Sequence, residues 1–367
     1  MTGRPPLLEI DNLDVNYRVG DEQLRAVSGA SFRIEENRYF GLVGESGCGK
    51  STIAKSLINA LDANGQIAGG SVIFRGDEIQ ELTEAEFKDQ YLWNEIAFIP
   101  QSAMNSLDPL MKVSEQATKI AKEHTDWSEE EALERFKELF DVVGLPESRI
   151  HHYPHQFSGG MKQRTIIALA LLLQPSLIIA DEPTTALDVI MQDQILNHLQ
   201  EIRQDRNLSM LIITHDISVV FENCDDVAVM HGGQVAETGG VVDIYQRPRH
   251  PYTILLQRAF PDVRFRDRPL ETIDGEPPVL RQPMEFCSFA NRCPWAQEEC
   301  EEGSPPLERV PDPSANISRP EVSGIGEHAG DAGSDHYSSC IRHSEMEELA
   351  TSHLTEIEER HATSPGQ

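Results

Sequence analysis

Between Tyr39 and Thr52 the chain reads Tyr39-Phe40-Gly41-Leu42-Val43, then Gly44-Glu45-Ser46-Gly47-Cys48-Gly49-Lys50-Ser51-Thr52, and this stretch constrains the fold more than any other. A short, uninterrupted apolar run of this kind suits a strand buried on both faces, as in a parallel sheet covered by helices. The next eight residues fit the spacing G-x-x-x-x-G-K-[S/T]. Glycines there let backbone N–H groups turn inward around a phosphate, at a helix N-terminus whose dipole favours anions. Lys50 is placed to reach the β- and γ-phosphates and Ser51 to ligate Mg²⁺. Cys48 occupies a variable position of the loop and reads as a bystander, not a nucleophile.

The rest of the pattern suits an α/β core. Alternation in Leu7 to Tyr17 and in Arg25 to Ile34 predicts paired strands at the start, with further strands at Ser71 to Phe74 and Ile96 to Pro100. Glu115 to Val143 is charged and periodic, which predicts a helical insert. Gly160 to Leu173 reads as a helix, Leu177 to Ala180 and Met210 to Thr214 as buried parallel strands, and Leu187 to Gln204 as the crossover between them. Val227 to Met230 and Gln234 to Glu237 flank His231-Gly232-Gly233 and predict a hairpin. From about Gln246 a series of prolines breaks the periodicity, placing a domain boundary near Pro261. The stretch 316–334 reads as a loop and the tail after Arg342 as acidic with weak helical character.

The strand ending in Asp181-Glu182, turned by Pro183, supplies two carboxylates with different expected roles. Asp181 would hold the Mg²⁺ shell and Glu182 would polarise an attacking water. The charge balance excludes other classes. With 31 Lys and Arg, only eight of them Lys, against 61 Asp and Glu, the net charge is −30, which disfavours a nucleic-acid backbone binder. Excess carboxylate suits a solvated surface at high salt, so a halophilic source is expected over a merely acidic one. The N-terminus lacks the pattern of a secretory signal, which predicts a cytoplasmic chain. The longest uncharged apolar run, Thr165 to Ala180, is shorter than the ~20 residues of a spanning helix.

Phe157-Ser158-Gly159-Gly160-Met161, followed by Lys162-Gln163-Arg164, is similar to the LSGGQ signature of ABC-type ATPases, with Phe157 for Leu and Met161 for Gln. The resemblance implies a P-loop NTPase (RecA-like) ABC cassette over residues 1–260. It would have an N-terminal antiparallel β-subdomain and a helical subdomain at about 102–170. The signature would face the γ-phosphate bound by a second cassette. Other positions match the family one by one. Tyr17 stands where an aromatic stacks on adenine, although a lone strand Tyr is also ordinary packing. Gln101 resembles the Q-loop glutamine that senses Mg²⁺ and the attacking water, Asp188 the D-loop aspartate at the dimer interface, and His215 the switch histidine.

Pro100 to Pro109 and His250-Pro251-Tyr252-Thr253 resemble the oligopeptide/dipeptide (Opp/Dpp) importer ATPases, a family that also includes nickel and oligosaccharide importers. That resemblance implies two transmembrane permease subunits, a second ABC ATPase subunit forming a heterodimer, an extracytoplasmic solute-binding protein, and a peripheral place on the cytoplasmic face of the membrane. Met104 to Val113 is the expected permease-docking surface. Cys287-Ser288-Phe289-Ala290-Asn291-Arg292-Cys293-Pro294 resembles the C-terminal extension of these ATPases, expected here over 261–345 with an acidic tail at 346–367. Some of those extensions carry a [4Fe–4S] cluster, which would take Cys287, Cys293, Cys300 and Cys340 as ligands. Zinc or unliganded thiols are the alternatives, and the long gap before Cys340 is unusual for the family. A soluble, non-transport ABC ATPase would be expected to show a coiled-coil insertion, a second cassette or a basic arm, and an exporter ATPase would not be expected to carry this extension.

Overall fold

The computed structural model describes residues 5–101, 106–183, 192, 196, 199–200, 203, 208–260, 272–278, 286–311, 335–346 and 348–349. Two sheets organise the chain. A four-stranded antiparallel sheet runs in the order β2-β1-β4-β5, from β1 (Leu8–Val19), β2 (Glu22–Ile34), β4 (Gly65–Phe74) and β5 (Asp77–Glu78). The expected first pair of strands is thus present, with β1 joined to β2 on one side and β4 on the other.

The central sheet has the order β11-β12-β10-β9-β3-β8-β7-β6, with β11 at Glu308–Arg309 and β12 at Tyr337–Ser338. Its parallel part comprises β3 (Tyr39–Val43), β6 (Ile96–Ile99), β7 (Leu177–Asp181), β8 (Ser209–Thr214) and β9 (Asp226–His231), and β10 (Gln234–Gly240) closes the predicted hairpin antiparallel to β9. Every residue of β3, β7, β8 and β9 is buried. That is why these strands read as continuous apolar runs and not as alternation. The two faces feed separate cores. Phe40, Leu42, Ile179, Leu211 and Ile213 pack with β1, β2, α1 (Lys50–Leu57) and α2 (Glu84–Gln90), whereas Tyr39, Val43, Ile178, Met210 and Ile212 pack with helices that follow. Each such side chain contributes roughly 1.5–3 kcal/mol on burial.

The insert is two helices, not the single stretch expected. α3 (Val113–His124) ends at Thr125, and α4 (Glu129–Val142) restarts from a capping box in which the Ser128 hydroxyl accepts from Glu131 N–H and the Glu131 carboxylate accepts from Ser128 N–H. Two hydrogen-bonded caps stabilise the restart by about 1 kcal/mol each, enough to divide one periodic segment. α4 buries Phe136 and Phe140, ring centroids 4.7 Å apart. Arg164, on α5 (Gly159–Ala170), donates to the carbonyl of Val143 at 3.1 Å, tying the insert to that helix.

The proline-rich stretch after Gln246 is more ordered than the periodicity implied. Pro251 stands in the first turn of a helix, Pro251–Ala259, where a missing N–H costs nothing. Further on, β12 (Tyr337–Ser338) pairs with β10 and with β11 (Glu308–Arg309), so the C-terminal region continues the central sheet. Phe289 belongs to the main core cluster, with Cys287 and Cys293 packed against it. The boundary at Pro261, the 316–334 stretch, most of the tail and the start of the 187–204 crossover lie outside the described residues; positions 192, 196, 199, 200 and 203 of that crossover are helical.

Candidate nucleotide site

The loop Gly44–Gly49 leaves the end of β3 and enters α1 (Lys50–Leu57). Gly49 caps the helix at φ 107°, a left-handed conformation costly for other residues. A Cβ there would also meet the carbonyl of Ala26 at 2.6 Å, and one at Gly44 the carbonyl of Met230 at 2.2 Å. Gly47, by contrast, faces open space. The loop therefore runs into the start of a helix, whose first N–H groups have no partner within the helix and favour an anion. The Lys50 ammonium is buried and donates to the carbonyls of Gly44 and Glu45 at 2.8 and 2.9 Å. Cys48 is buried beside it, and burial raises its thiol, in keeping with a bystander. Ser46, Gly47 and Ser51 are exposed and Thr52 is half-buried.

The carboxylates at the end of β7 meet this loop. Burial raises the Asp181 carboxyl above the usual range, and the neighbouring Ser51 hydroxyl opposes the shift. Asp181 Oδ1 is buried without a hydrogen-bond partner. An orphaned carboxylate oxygen next to a serine hydroxyl is the donor set a hard divalent cation selects, so these residues fit Mg²⁺. Glu182 adopts φ 50°, a left-handed conformation unusual for a non-glycine residue, and its N–H donates to the carbonyl of Ile213. Its carboxylate is held from both sides: Gln101 Nε2 donates to Oε2 at 2.9 Å, and His215 Nδ1 lies 3.1 Å from Oε1. Gln101, Glu182 and His215, which sit at the ends of β6, β7 and β8, are thereby gathered at one edge of the sheet.

Ser158 caps α5, its hydroxyl accepting from Met161 N–H at 3.3 Å, with Gly159 and Gly160 opening the helix. Phe157 is buried and Met161 packs against the core, which explains why both apolar departures from the family pattern are tolerated. Gln163 on the same helix donates to the carbonyl of Pro183, linking the signature helix to the turn after Glu182. Tyr17 is half-buried on β1, its ring over Gly65, where a Cβ would come within 2.7 Å. Asp188 lies outside the described residues. So does the beginning of the docking surface, although Leu110 within it is 85% exposed.

Sequence reasoning missed the far side of the loop. The Tyr252 hydroxyl accepts from Glu45 N–H at 2.9 Å, and Arg292 donates through two nitrogens to the Glu45 carboxylate, at 2.6 and 2.9 Å. Both segments carry a family resemblance in the sequence, and neither carries a signal of this contact. His231 is buried behind them, its ring 4.7 Å from that of Tyr252, and burial pushes it down to about 3.

Cys287, Cys293, Cys300 and Cys340 line one pocket with Phe289, Trp295 and Arg342. Cys340 arrives there because β12 returns the chain to β10. Burial pushes Cys293 and Cys340 up to about 12 and raises Cys287. Among the described residues no three His, Cys, Asp or Glu side chains form a group that could hold a metal ion, so neither the [4Fe–4S] expectation nor the zinc alternative has a ready-made site there. A [4Fe–4S] cube takes one thiolate at each of four iron corners, so its ligands stand apart around a cavity. The four thiols line the pocket together with Arg342 and apolar side chains, without forming such a group among the described residues.

The comparisons with known proteins agree with this geometry. Residues 27–185 match the ABC transporter family model, and residues 236–300 match the model for the oligopeptide/dipeptide transporter C-terminal region. The chain is 43% identical to the oligopeptide transport ATP-binding protein OppD of Escherichia coli over 82% of its own length and 89% of the relative's. It is 39% identical to the dipeptide transport ATP-binding protein DppD of Caldanaerobacter subterraneus, over 82% and 92%. Among solved structures it resembles a dimeric ATP-binding cassette in a post-hydrolysis state bound to ADP and Pi, with a TM-score of 0.57 and 28% identity, covering 64% of this chain and 98% of that one. Among the described residues no helix is long and apolar enough to cross a membrane.

Proposed function

We propose, for a chain that belongs to the ABC transporter ATP-binding proteins of the oligopeptide/dipeptide type, that it hydrolyses ATP to energise uptake of short peptides through two partner permeases. It would lie on the cytoplasmic face of the membrane, paired with a second, homologous ATP-binding subunit, while an extracytoplasmic binding protein delivers the solute. The observation that carries the reading is the Glu182 carboxylate clasped between Gln101 and His215, beside the Ser51–Asp181 pair and the phosphate loop.

In this reading Lys50 and the loop amides bind the β- and γ-phosphates, and Tyr17 stacks on the adenine. Mg²⁺, held by Ser51, Asp181 and Gln101, would neutralise phosphate charge. Glu182 accepts the proton of the attacking water at a carboxylate oxygen, and His215 and Gln101 orient that carboxylate. Ser158, Gly159 and Gly160 of the opposing subunit close over the γ-phosphate, with Asp188 at the interface. Two subunits thus associate around ATP and separate after hydrolysis. The insert carries that change to the permease through the segment near Leu110, a shift between two populated arrangements.

The peptide assignment draws on the C-terminal match over 236–300 and on His250-Pro251-Tyr252-Thr253; nickel or an oligosaccharide is the alternative cargo. Cys287, Cys293, Cys300 and Cys340 would hold a [4Fe–4S] cluster, which would tie the extension together. The acidic composition supports a high-salt cytoplasm. The test is ATPase activity of the purified complex with its permeases: peptide-loaded binding protein should stimulate turnover several-fold and binding protein loaded with nickel or an oligosaccharide should not. Stimulation by either of those loads alone would replace the peptide reading.

A further inference from the structure

The turn that carries Cys287 and Cys293 has two faces. Its sulfurs line the cysteine pocket, while Arg292, between them in sequence, reaches back across 247 positions to the phosphate loop. Short internal hydrogen bonds fix the turn: Ala290 N–H to Cys287, Arg292 N–H to Phe289, Cys293 N–H to Ala290 and Cys287 N–H to Cys300. The Arg292 guanidinium is almost fully buried, against a Glu45 side chain that is one-quarter exposed. Its Nε donates to the carbonyl of Asp274 at 2.9 Å, its Nη1 lies 3.3 Å from His231 Nε2, and its cationic carbon sits 5.8 Å from the Phe289 ring centroid.

A carboxylate such as that of Glu45, on the loop that binds a polyanion, repels its ligand unless it is neutralised. Arg292 neutralises it with a two-pronged contact that only a guanidinium makes. The Tyr252 hydroxyl meanwhile holds the same residue's N–H. Loop shape and loop charge are therefore both set from outside the cassette's own motif.

We propose that Arg292 is a positioning residue for ATP binding and that, through it, the state of the cysteine-bearing turn and the occupancy of the phosphate loop are coupled. The proposal rests on the reading of the loop as the ATP site. If that turn is held, Glu45 is paired and the loop is ready for phosphate. If the turn loosens, Glu45 is released towards the anion. Coupling of this kind is reciprocal, so nucleotide must tighten the turn by the factor that the turn tightens nucleotide.

The experiment has two measurements on the full-length protein as isolated. The first is the affinity for a non-hydrolysable Mg–ATP analogue in wild type, Arg292→Ala, Arg292→Lys, Glu45→Gln and the Glu45→Gln/Arg292→Ala pair. Loss of a buried, two-pronged charged contact should weaken binding about tenfold in Arg292→Ala. Arg292→Lys should fall between, because it keeps the charge without the fork. Glu45→Gln should restore much of the loss in the double variant, an outcome that mere unfolding would not produce. The second is amide hydrogen exchange over residues 287–300. The analogue should slow exchange there about tenfold in wild type and leave it unchanged in Arg292→Ala. Wild-type affinity in Arg292→Ala overturns the proposal. So does weakened binding that Glu45→Gln fails to relieve, or an exchange rate blind to nucleotide in wild type. Failure of wild type to bind the analogue at all would instead remove the ATP-site reading beneath it.

Discussion

Replacing Glu182 with Gln separates binding from chemistry in this site. Among the described residues the Glu182 carboxylate accepts from Gln101 on Oε2 and lies against His215 on Oε1. An amide of the same shape keeps one acceptor and turns the other position into a donor, so one contact is lost, worth about 1 kcal/mol of local order. The proposed phosphate-binding groups, Lys50 and the loop Gly44–Gly49, do not touch this side chain through any hydrogen bond found among the described residues. Analogue affinity should therefore stay within about twofold. What disappears is the proton acceptor, and positioned general bases contribute ~10²–10⁴-fold, or about 3–5 kcal/mol at 1.36 kcal/mol per decade. Phosphate release should fall by at least ~10²-fold while the ATP-bound dimer accumulates on size exclusion. Hydrolysis at the wild-type rate would refute the assignment of Glu182 as the base.

Three other perturbations follow from the same structure. Lys50→Ala should weaken ATP binding itself, read by nucleotide titration, because the buried ammonium is lost from the loop; unchanged affinity would move the phosphate site elsewhere. Raising KCl from dilute to molar should raise the thermal midpoint, since a net charge of −30 repels itself until the Debye length falls to ~3 Å at 1 M; a flat or falling midpoint would leave the acidity without this role. Anaerobically purified protein should be brown, with iron and acid-labile sulfide in near-equal amounts, and Cys293→Ser should remove both; a colourless, zinc-loaded protein would replace the cluster with a structural ion.

The phosphate loop and the buried strands were legible because each is a local pattern: one loop spacing, and apolar runs set by a sheet covered on both faces. Gln101, Glu182 and His215 were legible singly, each at a strand end, but their meeting around one carboxylate spans 81 and 33 positions and is a product of parallel strand order. The break between α3 and α4 was hidden under continuous charge periodicity, although Ser128, followed three residues on by Glu131, carried the capping signal. The helix from Pro251 was hidden by its own proline, read as a breaker when it stands in the first turn. Arg292 and Tyr252 left no periodic trace at all. Their contacts with Glu45 bridge 247 and 207 positions, and only the folded chain brings them together.

Peptide uptake by proteoliposomes containing this chain, its second ATP-binding subunit and both permeases tests the central claim most directly. With binding protein present and ATP on the side of the ATP-binding subunits, a labelled short peptide should accumulate on that side. Uptake should stop in Lys50→Ala and Glu182→Gln. Peptide uptake that proceeds unchanged in both variants, or an ATP-driven complex that moves nickel or an oligosaccharide and no peptide, would contradict the account.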